Sequence, residues 1–417
     1  MSSPAPSVRS HPADHGELSE RAGEKVSPAG AASEPVLAQT KLHIPSPPVA
    51  LVPRSRLVEV LIAGAGRKLT LVDAPAGSGK TSLLIEWQAT PDESRSFAWL
   101  SLDSADNDPV RFWDCVIAAL ENVAPGIGAS AQASLHGPGA SISDQVLPLL
   151  INELATLDRA MVLVLDDYHV IENAQIHREI EWLIERLPAT THLALATRSD
   201  PPLPLARLRA RAEMTEIRAI DLRFSAVEAE GLLNGTLGLT LDSADIELLA
   251  ARTEGWVAGL QLAGLSLQGR ADSRAFIETF AGDDRQIVDY LGFEVLDHQP
   301  QATREFLMAS SVLERLSGPL CAAVTQDQNA AQLLDGLQRA NLFVVPLDSK
   351  GEWYRYHHLF RDLLCHGLHQ ARPQLIATLH QRAAAWYRSE GMIHEAIEHA
   401  TIAGEFAQAI ELITAHW

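Results

Sequence analysis

Cysteine is nearly missing: Cys115, Cys321 and Cys365 are the only three in 417 residues. They lie far apart and lack the close spacing of a metal site, so they read as buried thiols in a reducing compartment, and the expected location is the cytoplasm. Positive charge is short as well. Thirty-three Lys and Arg stand against 53 Asp and Glu, a formal net charge of −20. That balance argues against nucleic acid held by this chain itself, because such affinity rests on basic residues that neutralise phosphates. One basic cluster, LARLRARAEMTEIR, carries Arg207, Arg209, Arg211 and Arg218 shortly after Arg198. It reads as a solvated face, with contact to DNA as the lesser alternative. Long apolar runs are also absent, so no membrane span is expected. Residues 1–40 are rich in Ser, Pro, Ala, Gly and charge and contain no apolar stretch of the secretory kind. They read as a disordered tail.

What is present is a chain long enough for two or three cores, with 47% apolar residues. After a proline-rich lead-in and a short helix from about Arg54, strand signals fall at Leu69–Asp73, Ala98–Leu102, Met161–Leu165 and Leu193–Thr197. Each is a short apolar run, and amphipathic helical stretches separate them. That alternation implies a parallel sheet covered on both faces. Asp108 followed by Pro109 marks one helix start, and Ser225 with Glu228 marks another as a capping box. From Ser225 to about Leu320 the pattern is helical. Residues 333–368 then read helix, strand, turn, strand, helix, which suggests a winged helix. In the last stretch, small residues and aromatics recur as in paired repeat helices. Such arrays need several units, and this one stops at Trp417 after about one and a half, so the chain reads as the front part of something longer. The expected division is a tail at 1–40, a P-loop nucleotide-binding α/β domain at 41–222, and a helical domain at 223–312. A winged helix follows at 313–370, and the start of a TPR-like repeat region at 371–417.

The chemistry begins in LTLVDAPAGSGKTSLLIEW. Against the phosphate-cradling pattern G-x-x-x-x-G-K-[ST], the chain offers Ala74-Pro75-Ala76-Gly77-Ser78-Gly79-Lys80-Thr81. Ala at the first position is tolerable where φ stays negative, and the two glycines supply the permissive backbone. Gly77, Ser78, Gly79, Lys80, Thr81 and Ser82 form the expected phosphate-binding set. Backbone N–H groups and the helix N-terminus would face the β-phosphate. Lys80 would lie against the β- and γ-phosphates, and Thr81 would ligate Mg²⁺. The apolar strand MVLVLDDYH ends in Asp166, a second metal ligand, and Asp167, which would orient or deprotonate the attacking water. Strand HLALATRSD ends in Arg198, placed to sense a γ-phosphate or, alternatively, to form a surface ion pair.

The order APAGSGKT, LSLDSADNDPVRFW, LVLDDYHVI, LATRSDPPLPLARLRAR, TEGWVAGLQLAGLSLQ and YRYHHLFRDLL resembles the STAND class of signalling ATPases. More narrowly, it is similar to the ATPase module of maltose-regulator-type, large LuxR-family transcriptional activators. The resemblance covers about residues 41 to 417 and implies a C-terminal helix-turn-helix for DNA that these residues do not include. It also implies that His357 touches the β-phosphate of ADP from the winged helix, with His358 the weaker candidate, and that Val52 and Arg54 lie along adenine. Many relatives carry proline where this chain has Val257, which leaves base selectivity open. The implied function is a two-state switch that depends on ATP or ADP. ADP bridges the nucleotide domain and winged helix in a closed monomer. ATP, favoured by a small-molecule or protein inducer on the repeats, opens it to self-association, and slow hydrolysis resets it. A metabolic or motor NTPase and a scaffold with structural nucleotide remain the alternatives.

Overall fold

The computed structural model describes residues 39–47, 51–270 and 272–416. Apart from Gln39 and Thr40, the expected tail lies outside the described residues. Gln39–Leu42 already forms a short 3₁₀ turn, and Lys41 donates to Asp103 at 2.9 Å and to the buried Asp106.

Five strands make one parallel sheet: β1 (Leu69–Asp73), β2 (Ser96–Ser101), β3 (Met161–Asp166), β4 (Thr191–Thr197) and β5 (Met214–Arg218), in the order β2-β3-β4-β1-β5. Strands β1, β3 and β4 are buried along their whole length, as apolar runs covered on both faces must be. Because all five run the same way, the carboxyl ends of β1, β3 and β4 meet at one edge. Asp73 lies opposite both Thr197 and Arg218.

Strand β5 was not among the expected strands. Its sequence, Met-Thr-Glu-Ile-Arg, sets the charged Glu216 and Arg218 on either side of Ile217 and sits inside the arginine cluster. The expected solvated basic face is instead mostly paired. Arg207 meets Glu181 and Glu185, Arg209 meets Glu216, and Arg218 meets Asp73, Asp200 and Glu216. Nearby carboxylates thus offset most of that positive charge.

The signalled helix starts form as the local chemistry requires. Asp108 accepts from the Arg111 N–H at 2.9 Å ahead of Pro109–Glu121, and Ser225 with Glu228 closes a reciprocal capping box. Beyond β5 the chain is helical to Gln301–Ser310. Two of those helices widen into π-helical turns, at Gly231–Thr236 and Gly292–Leu296. Gly318–Thr325, Ala330–Arg339, the hairpin β6 (Val344–Pro346) and β7 (Tyr354–Tyr356), and His358–Ala371 build the winged helix. Helices Pro373–Ser389, Ile393–Ile402 and Phe406–His416 follow. One continuous apolar cluster joins Leu249, Leu260 and Leu291 of the helical segment to Phe343, Tyr356 and Phe360 of the winged helix. Burial of that shared core holds the two together. Cys115 and Cys321 are buried and Cys365 partly so.

Candidate functional site

Strand β1 delivers the loop. Ala74 does not take a positive φ, so the missing first glycine costs nothing, whereas Gly77 (φ 71°) and Gly79 (φ 82°) are left-handed. Space confirms the choice at Gly77. A Cβ there would lie 2.5 Å from the Ala258 Cβ and 2.7 Å from the Tyr290 Oη. The following helix, Lys80–Ala89, starts at Gly79 and turns its first free N–H groups toward the loop. Lys80 is folded back, its Nζ donating to the carbonyls of Ala74 (2.8 Å) and Pro75 (3.0 Å). Burial, helped by Arg198, pushes its ammonium down to about 8 against the pull of Asp167, Asp166 and Asp73. Thr81 donates to Asp166 at 2.9 Å, joining the loop to the end of β3. Ser82 is half-buried on the same first turn.

Asp166 is buried, and desolvation together with its neighbour Asp167 pushes its carboxyl up to about 6. A hydroxyl and a carboxylate at bonding distance, beside a second acid, form an oxygen donor set suited to a hard divalent cation. Asp167 takes a left-handed turn (φ 57°), which lifts its side chain into partial exposure. The fold adds a residue that the sequence reading passed over. His169, two positions on, stands 3.8 Å from Asp167 with its Nδ1 otherwise unpartnered. Burial, with Arg198 and Lys80 nearby, pushes its imidazole down to about 3, so it is neutral at pH 7. Arg198, at the end of β4, pairs with Glu294 of the helical segment at 3.2 Å.

The helical segment and the winged helix cover the loop. The Trp256 Nε1 donates to the Ala76 carbonyl and the Ala258 N–H to the Gly77 carbonyl, each at 3.0 Å. The GWVAGL motif thereby clamps the phosphate loop. Val257 keeps an apolar group close to Gly79, with its Cγ2 3.9 Å from where a Cβ would sit. One step earlier, Glu254 (φ 50°) ties the helical segment to the winged helix. It takes two bonds from Arg355 at 2.7 Å, one from Arg223 at 3.1 Å and one from the His358 N–H at 3.1 Å. These partners outweigh burial and hold its carboxyl down at about 2.

His357 is buried beside this hub. Its Nε2 lies 3.0 Å from the Thr253 carbonyl, its Nδ1 has no partner, and Trp256 and Phe343 flank its ring. Because a carbonyl only accepts, the proton of the neutral ring is on Nε2. Burial pushes the imidazole down to about 4. Pro75 and Ser78 of the loop, Val257 and His357 line one narrow cleft of about 70 Å³. The loop and the late histidine, far apart in sequence, thus face a common space. His358 is exposed.

Val52 and Arg54 do not line that cleft. Val52 packs against the helical core near Gly231. Arg54 is buried, donates to the Leu222 carbonyl at 2.6 Å and lies over the Phe224 ring. Its Nη1 has no partner and comes within 3.8 Å of the position of a Gly79 Cβ.

The winged helix matches the MalT winged helix domain over residues 293–376. The chain is 34% identical over 366 residues to the HTH-type transcriptional regulator MalT of Serratia proteamaculans, covering 87% of this chain and 40% of that protein. Over the shared region the chain is similar to the MalT regulators, and its winged helix is of the MalT type. It is also 34% identical over 375 residues to the serine/threonine-protein kinase PknK of Mycobacterium tuberculosis, covering 90% of this chain and 34% of that one. The chain thus spans between a third and two-fifths of the length of these curated relatives. Among solved structures, a Walker-type ATPase of Pyrococcus abyssi shares the fold, with a TM-score of 0.53 at 14% identity over 76% of this chain and 98% of that one.

Proposed function

We propose that this chain is the nucleotide-operated switch of a transcription regulator. Residues 41–222 bind ATP or ADP, 223–312 and 313–370 close over it, and 371–417 begin the repeat region that receives an inducer. The observation that carries the reading is the shared cleft: His357 of the winged helix and Ser78 of the phosphate loop face it together, and one imidazole nitrogen is buried without a partner. An unpaired buried nitrogen costs stability unless a ligand uses it.

In this reading Lys80 leaves the carbonyls of Ala74 and Pro75 and turns to the phosphates, with the N–H groups of Gly77 to Thr81 around them. Thr81 and Asp166 hold Mg²⁺, which supplies charge neutralisation when bound. Asp167, lifted toward solvent, orients the attacking water, and His169 and Arg198 flank it. His357 binds the diphosphate from above and keeps the winged helix shut. Opening exposes surfaces for self-association, and DNA is bound by a further domain of the whole protein. Moving such an equilibrium from mostly closed to mostly open takes about 5.5 kcal/mol of differential binding. A phosphate-centred clamp together with an inducer is on that scale.

The test is release of labelled ADP from the intact protein. A hydrogen bond to a charged group contributes roughly 1.5–3 kcal/mol, so His357→Ala should speed release by about 10- to 100-fold, while His358→Ala leaves it near wild type. Equal release from wild type and His357→Ala removes the histidine bridge and the switch built on it.

A further inference from the structure

One face of the helical segment touches both ends of the phosphate site. Helix Arg285–Leu291 runs directly into the π-helical turn Gly292–Leu296, and that wider turn sets the direction of Glu294. Four residues before it, Tyr290 presses its hydroxyl against the loop at Gly77 and packs its ring 5.6 Å from Trp256. Glu294 holds Arg198 at 3.2 Å, and both side chains are only about one-third exposed, at 30% and 35%. The arginine that ends β4 is therefore engaged by a carboxylate from another segment. That carboxylate and a terminal phosphate are rivals for one guanidinium.

We propose that Glu294 is a specificity-determining residue that makes this site discriminate between nucleoside di- and triphosphates. The inference rests on the nucleotide-switch reading above and names the group that reads the third phosphate. With a diphosphate, Arg198 stays on Glu294, and the helical segment remains docked through Tyr290 and the ion pair. With a triphosphate, the terminal phosphate draws Arg198 away, because a doubly ionised oxyanion group outcompetes one carboxylate. Glu294 is then left without its cationic partner, a loss that the triphosphate complex bears and the diphosphate complex does not. Glu294 thus penalises the triphosphate and couples its presence to loosening of the helical segment. It acts through Arg198 and is a positioning residue.

The experiment is titration of the intact protein with ADP and with a non-hydrolysable ATP analogue, in Mg²⁺, for wild type, Glu294→Gln, Glu294→Asp and Arg198→Ala. Glu294→Gln should raise the ratio of triphosphate to diphosphate affinity by about fivefold, the scale of a partly exposed ion pair. Glu294→Asp, which keeps the charge, should stay near the wild-type ratio. In the Arg198→Ala background, Glu294→Gln should shift the ratio by less than about twofold, since the arginine that links the two is gone. An unchanged ratio in Glu294→Gln overturns the proposal, as does the same fivefold shift without Arg198. If wild type binds neither nucleotide, it is the switch reading itself that fails, and no ratio exists to compare.

Discussion

Replacing Glu254 by glutamine should loosen the winged helix from the helical segment by an amount that can be worked out. The carboxylate is 6% exposed and takes two bonds from Arg355, one from Arg223 and one from the His358 N–H. Its carboxyl stands at about 2 instead of the ordinary 4.5. Each unit corresponds to 1.36 kcal/mol, so the pairing contributes about 3 kcal/mol, which is an upper figure because Arg223 is 37% exposed and screened. Breaking one side of a buried ion pair typically costs about 3–5 kcal/mol, which agrees. A depressed acid stabilises the fold above its unfolded value, and the stabilisation is lost as pH falls from about 4.5 toward about 2. The difference between wild type and Glu254→Gln should therefore be full at pH 7 and shrink in that acid window. Several segments unfold here, so the assay should be local: hydrogen exchange of amides in β6 and β7. At pH 7 their opening should rise roughly 100-fold in Glu254→Gln. A rise under about threefold at pH 7 would refute the assignment of Glu254 as the joint between segments.

Two further outcomes follow from the same geometry. His357 sits near 4 without ligand, and its free Nδ1 can donate to a phosphate oxygen only after taking up a proton, so anion binding must raise it. ADP affinity should then increase as pH falls from 8 to 6, by at most about tenfold per unit, and His357→Ala should abolish that part of the dependence. Calorimetric titration across this range checks it, and parallel pH profiles for wild type and variant would contradict it. Gly77→Ala should weaken nucleotide binding by more than about tenfold, because a left-handed alanine costs roughly 1–2 kcal/mol before any clash with Ala258 and Tyr290 is relieved. Gly66→Ala, with nothing within 4 Å of the new methyl, serves as the control and should bind as wild type in the same titration.

The order of loop, acid strand and arginine was legible in the chain because each depends on near neighbours. A glycine turn must join β1 to its helix, and the apolar runs of β1, β3 and β4 can only be buried strands. Ser225 with Glu228 and Asp108 with Pro109 were equally local signals. Strand β5 escaped because its alternating charges look solvent-facing until Asp73 and Asp200 are seen to pair with Arg218. His169, Tyr290 and Glu294 carry no pattern of their own, and only their approach to Asp167, Gly77 and Arg198 gives them significance.

By itself, then, the order of amino acids determined the phosphate loop and the strands that present its partners, since spacing along the backbone settles which atoms a short turn can bring together. Tertiary structure alone decided that His357 and Ser78 share one cleft, that Arg54 packs over Phe224, and that Glu254 joins the helical segment to the winged helix. Those placements depend on burying one common core of helices from distant stretches. Burial is proportional to area and indifferent to sequence distance, so no local pattern encodes which distant side chains it will bring into contact.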